Sequence, residues 1–155
     1  MRRALTLLAI AAVAALAAGC DDDDNHDPRS PFVKDADRIC LRSGIRPTAV
    51  PGDLPQAAEQ LAVEARLRAE VHRKLSALDP PKDVARDWER FLRLTDRVAR
   101  DVRRMSGVAR AGDQAELAEL GRRTTLVETE RMHLAERMGF RRCGRAITEP
   151  VREEG

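Results

Sequence analysis

The chain has no Tyr, one Trp and three Phe among its 155 residues, so it offers almost no planar side chains on which bases or sugar rings could stack. Serine occurs only at Ser30, Ser43, Ser76 and Ser106, with no nucleophile elbow and no placement that suits a Ser-His-Asp site, and no glycine-rich phosphate loop is present. Metal-ligand spacings are poor as well. Glu130 and His133 form one Glu-x-x-His, but both project away from the apolar stripe of their segment, and Glu70-Val71-His72 has the wrong spacing to complete such a set. These absences argue against catalysis, a metal and a cofactor. Glycine is missing between Gly52 and Gly107, where Ala, Leu, Glu and Arg dominate. Those residues lose little rotamer freedom in a helix, and an all-α class follows.

What is there is organised around residues 84–109. Val84, Trp88, Phe91, Val98, Val102, Met105 and Ala109 recur at spacings of three and four, with Thr95 in the one polar slot, which predicts a helix with a single buried seam. Its opposite side carries Arg86, Arg90, Arg93, Arg97, Arg100 and Arg104 at the same rhythm. The formal charge of +2 hides an uneven distribution: from Pro31 onward there are 25 basic and 21 acidic residues, an excess of four. That excess is too small to make nucleic acid the expected partner.

Residues 1–19 read as an export signal, with Arg2 and Arg3 ahead of an apolar run that ends in Leu16-Ala17-Ala18-Gly19-Cys20. The run is too short and wrongly flanked for a spanning helix. The Gly19-Cys20 junction after small residues resembles the lipobox of bacterial lipoproteins. It departs from the commonest form in having Ala17 three places before the cysteine and Leu16 one place earlier, which leaves an ordinary secretory cut upstream open. The resemblance implies that Cys20 receives a diacylglycerol, becomes the new N-terminus and anchors the chain at the outer face of the cytoplasmic membrane. In outline the mature chain also resembles short helical lipoproteins of high-GC bacteria, with one cysteine early and one late after a Gly-aromatic helix end.

Residues 20–30 carry five Asp and Pro28, which predicts a charged tether spanning at most ~35 Å. Asp21 and Asp22 resemble the inner-membrane retention signal of lipoproteins from two-membrane bacteria; the plainer reading is solvation and spacing. Residues 31–155 form the predicted domain. A short first helix occupies 31–41 and a proline-rich extended connection follows over 45–54. Long helices are expected over 55–78, from 79 or 81 to 110, and from an Asp113/Glu116 capping pair to Met138, with Gly139 and Phe140 closing the last. Short loops make neighbours antiparallel, giving an up-down bundle of three long helices plus the short N-terminal one.

With Cys20 acylated, Cys40 and Cys143 remain, and outside the cell an even pair is expected to oxidise. Their bridge would pin the first helix to the foot of the fourth.

Projection of the helices leaves polar residues on the inward stripes. Arg68 and His72 fall on that of the helix over 55–78, beside Leu61, Ala65 and Leu75, and Glu128 and Arg131 fall on that of the last, beside Leu120, Thr124 and Leu134. In an antiparallel bundle all four lie at the height of Trp88 and Phe91. Two readings stay open: arginines at stripe edges with packed stems and Glu128 pairing one of them, or a small groove for an anionic or amphipathic ligand with Arg68, His72 and Arg131 as donors and Trp88 as a wall. The arginine stripe likewise reads either as ordinary Glu89–Arg93 and Asp96–Arg100 solvation or as a surface for anionic headgroups. The function expected is a membrane-anchored, non-catalytic binding or interaction domain, with an envelope protein as a candidate partner; the alternative is a ligand-binding or sensing bundle that uses the polar layer.

Overall fold

The computed structural model describes residues 29–43, 45 and 53–143. The leader, Cys20 and most of the tether lie outside the described residues. Four helices follow in order: α1 (Arg29–Leu41), α2 (Leu54–Leu75), α3 (Ala85–Ala111) and α4 (Gln114–Arg137), with no strand among the described residues. None of these helices is long and apolar enough to cross a membrane.

The central element is α3, with α2 and α4 packed on either side and α1 lying against α2. Both neighbours run antiparallel to α3, because Ser106 near its end donates to the Ala58 carbonyl near the start of α2 (2.8 Å), and Arg137 at the end of α4 reaches Asp87 at the start of α3 (3.3 Å). The seam read from the sequence is the buried face of α3: Trp88, Phe91, Val98, Val102 and Ala109 are all buried, as is Thr95, whose hydroxyl donates to the Phe91 carbonyl (2.8 Å). Small residues let α2 approach α3 closely, with Ala57, Ala58 and Ala65 on one side and Ala99 and Ser106 on the other, all buried. Packing of this kind, not propensity, supplies most of the stability of helices this long.

The helix ends follow their local chemistry. Asp113 accepts from the Glu116 N–H (2.9 Å) to start α4. Gly139 takes φ +85°, and the Phe140 N–H returns to the Ala135 carbonyl (2.9 Å), which swings the Phe140 ring back into the core. Three boundaries differ from expectation. In α1 the helix begins at Arg29, inside the stretch read as tether, because Pro31 in the first turn has no N–H to leave unbonded. In α2 it stops at Leu75, where the Ser76 hydroxyl bonds back to the His72 carbonyl (2.8 Å) and the chain tightens into a turn. Finally, α3 starts at Ala85 instead of 79 or 81, since Pro80 and Pro81 hold the preceding backbone out of the helical region and the first turn forms only once Val84 N–H bonds the Pro81 carbonyl (3.1 Å).

Candidate functional site: the foot of the bundle and the arginine face

All four aromatic side chains of the protein converge at one end. Trp88 stacks on Phe91 with centroids 5.4 Å apart, meets the edge of Phe32 at 4.9 Å, and Phe140 lies 5.9 Å from Trp88. This cluster joins α1, the start of α3 and the segment after α4. Trp88 is 2 % exposed and belongs to the hydrophobic core, away from the cavity that adjoins the polar layer.

Beside it, Cys40 and Cys143 are disulfide-bonded, with Cα atoms 5.3 Å apart and a sequence separation of 103, as expected from the cysteine count. Asp37, one turn before Cys40, accepts from three successive backbone N–H groups, those of Arg141 (2.9 Å), Arg142 (2.7 Å) and Cys143 (3.1 Å). One carboxylate thus satisfies the donors that the chain exposes after leaving α4. Nothing in the local sequence around Asp37 signals this, because its partners are over a hundred residues away.

The polar layer forms directly above. Arg131 is 7 % exposed, and its guanidinium grips Glu128 with two hydrogen bonds (Nε to Oε2, 2.8 Å; Nη2 to Oε1, 2.9 Å). Its third nitrogen, Nη1, donates to the Cys143 carbonyl (3.0 Å), and the group lies 5.4 Å from the centre of the Phe91 ring. Arg68 reaches across from α2 to the same carboxylate (3.5 Å) while bonding Glu64 on its own helix (2.7 Å). Burial by itself would raise the Glu128 pKa, but the hydrogen bond and charge of Arg131, joined by Arg68, outweigh it and hold the carboxyl below its ordinary range.

Of the residues singled out by projection, the structure brings together Arg68, Glu128 and Arg131. His72 stands apart from them. Val71 and Leu75 take the inward positions on α2, leaving His72 at the edge with its Nε2 3.4 Å from the Ser76 hydroxyl. Partial burial first, and then the positive charge of Arg100, lower its pKa and favour the neutral ring. A cavity of about 50 Å³ borders the layer, lined among others by Arg68, Thr95, Arg131, Arg142 and the disulfide. By volume it has room for about three or four water molecules.

The arginine stripe of α3 is exposed along its length. Arg90 crosses to Glu130 of α4 and Arg104 to Glu116, while Arg93 pairs with Glu89 (3.7 Å), Arg97 with Asp101 (3.8 Å) and Arg100 with Asp96. Glu130 and His133 face outward, and among the described residues no three His, Cys, Asp or Glu side chains converge as metal ligands would. Compared with known protein families, with curated proteins and with solved structures, the chain matches none.

Proposed function

We propose that the chain is a lipid-anchored, non-catalytic interaction domain held at the outer face of the cytoplasmic membrane. The observation that carries this reading is how the three cysteines divide. Cys40 and Cys143 are bonded to each other, which suits an oxidising compartment and leaves Cys20, directly after Gly19 at the lipobox-like junction, as the remaining thiol. Acylation there supplies a stable anchor, since each buried methylene contributes ~0.8 kcal/mol, and the acidic tether keeps the domain within ~35 Å of the bilayer.

An interaction role is supported over a ligand-carrying one by the state of the polar layer. Its arginines are engaged by Glu128, Glu64 and the Cys143 carbonyl, and the adjoining cavity of about 50 Å³ is far below the ~300 Å³ at which ordinary small-molecule pockets begin. The partner is then sought on the surface, in the membrane or an envelope protein.

The test is metabolic labelling with a palmitate analogue in an export-competent bacterium, comparing the wild-type chain with Cys20→Ala. Label on the wild type and none on the variant is the expected result. A wild-type chain without label, or a labelled variant, overturns the anchor, and crosslinking in intact cells then asks which envelope protein is recovered with the wild type.

A further inference from the structure

We propose that the arginine face of α3, with Leu126 of α4 beside it, is a docking surface for anionic phospholipid; the choice of occupant rests on the membrane-anchored reading above. The positive charge of the domain is not spread over its surface. Between Ala85 and Ala111, α3 carries eight arginines against four carboxylates, an excess of four, and this equals the whole excess of the chain from residue 31 onward, where 25 basic residues face 21 acidic ones. Outside α3 the charges in that range sum to zero, so the formal excess of the domain resides on one helix, six of whose eight arginines form the exposed stripe.

The same helix leaves its cations available. Arg86 has no ion-pair or hydrogen-bond partner among the described residues, and Arg93 and Arg97 are held only by long contacts, to the exposed Glu89 (3.7 Å) and the half-buried Asp101 (3.8 Å). Exposed pairs of this length yield readily to a stronger anion. Arg86, Arg90, Arg93 and Arg97, with two carboxylates, Asp87 and Glu130, among them, line one shallow depression between α3 and α4 of about 580 Å³, and Arg90 and Glu130 are shared with a second of about 370 Å³ that contains Leu126. Leu126 is 72 % exposed, the most exposed large apolar side chain among the described residues. Cations ranked along a groove with one protruding leucine match a headgroup layer, where phosphates meet the guanidinium groups and an apolar side chain can enter the acyl boundary. An acidic protein would also satisfy the arginines, and the lipid is favoured because the tether read from residues 20–30 delivers the domain to within ~35 Å of a bilayer.

The experiment uses the chain from residue 20 onward with Cys20→Ser and the disulfide formed; all of the described packing lies between residues 29 and 143, so this chain holds the complete bundle. Sedimentation with vesicles containing phosphatidylglycerol is compared with purely zwitterionic vesicles, at low salt and near 1 M salt, where the screening length falls to about 3 Å. Expected are binding to the anionic vesicles alone, release by salt, and weakening by roughly ten- to a hundred-fold in Arg86→Gln/Arg93→Gln/Arg97→Gln. The matched variant Arg66→Gln/Arg73→Gln/Lys74→Gln on the outer side of α2 retains binding, and Leu126→Ala weakens it severalfold with an unchanged salt dependence. Absence of binding at low salt overturns the proposal, as does equal weakening by the two triple variants, which would leave only net charge at work. Because no acyl chain is present, a failure here leaves palmitate labelling of Cys20 untouched, and a failure of labelling leaves this surface standing.

Discussion

Replacing Glu128 by Gln tests the physical account of the polar layer most directly. The substitution keeps the size of the side chain and one acceptor oxygen but removes the charge that the Arg131 guanidinium, 7 % exposed, needs for its two hydrogen bonds. Removing one member of a buried ion pair costs about 3–5 kcal/mol because the other charge stays behind unpaired. Glu128 keeps 22 % of its side chain in contact with solvent and Gln still accepts one hydrogen bond, so a cost of about 2–3 kcal/mol is expected. For a domain of this size that corresponds to a fall in midpoint of roughly 8–12 °C.

Thermal and urea unfolding, followed by circular dichroism and by the emission of the single Trp88, provide the assay. The pH dependence gives a second and sharper check. Because the folded-state pKa of Glu128 is depressed, its contribution is fully present above the ordinary carboxylate value near ~4.3 and is lost as the pH falls through the folded value. Gln does not titrate, so the gap between wild type and variant closes in acid. Equal stability near neutral pH within about 0.5 kcal/mol, or a gap that persists undiminished well below the folded pKa, refutes the reasoning. Replacing Arg68, Glu128 and Arg131 together by Leu is expected to cost much less than Glu128→Gln alone, since no charge is then stranded.

Reduction of the Cys40–Cys143 bridge releases a loop of 103 residues and is expected to cost between 2 and ~4.7 kcal/mol, read as a lower urea midpoint with reductant than without. Trp88→Ala empties the centre of the aromatic cluster and should cost about 3–5 kcal/mol in the same titration, followed by circular dichroism; a loss under 1 kcal/mol contradicts its placement in the core. Asp37→Asn weakens the acceptor of three backbone N–H groups and should cost about 1–2 kcal/mol, with hydrogen exchange at Arg141, Arg142 and Cys143 accelerating more than in the middle of α3.

Much of this architecture was legible in the sequence because it is written in local periodicity. The α3 seam, the Asp113 cap and the Gly139–Phe140 helix end each depend on residues within a few positions of one another, and each appears where the pattern places it. The pairing of Cys40 with Cys143 followed from arithmetic. The late start of α3 is not visible in the sequence because an acidic residue followed by prolines reads as a helix start, whereas Pro80 and Pro81 in tandem hold the residues before them out of the helical region and the chain turns through 82–84 before α3 begins at Ala85. In the polar layer, projection at a fixed angle found Arg68, Glu128 and Arg131 but included His72 and Trp88. Their separation from the layer is decided by which neighbour on the same helix, Val71 or Phe91, occupies the inward slot. Asp37 was invisible for a different reason: a carboxylate that receives backbone donors from the far end of the chain leaves no mark on its own surroundings.

The sulfur link between Cys40 and Cys143 also turns the polypeptide from α1 through α4 into a covalent ring. A protease that nicks the turn after α2, where Ala77 is exposed, therefore opens a circle without releasing a fragment, and both arcs stay fastened through α1 and the foot of α4. Such a molecule survives one cut in a proteolytic environment as a single species and falls into two pieces only when a reductant follows.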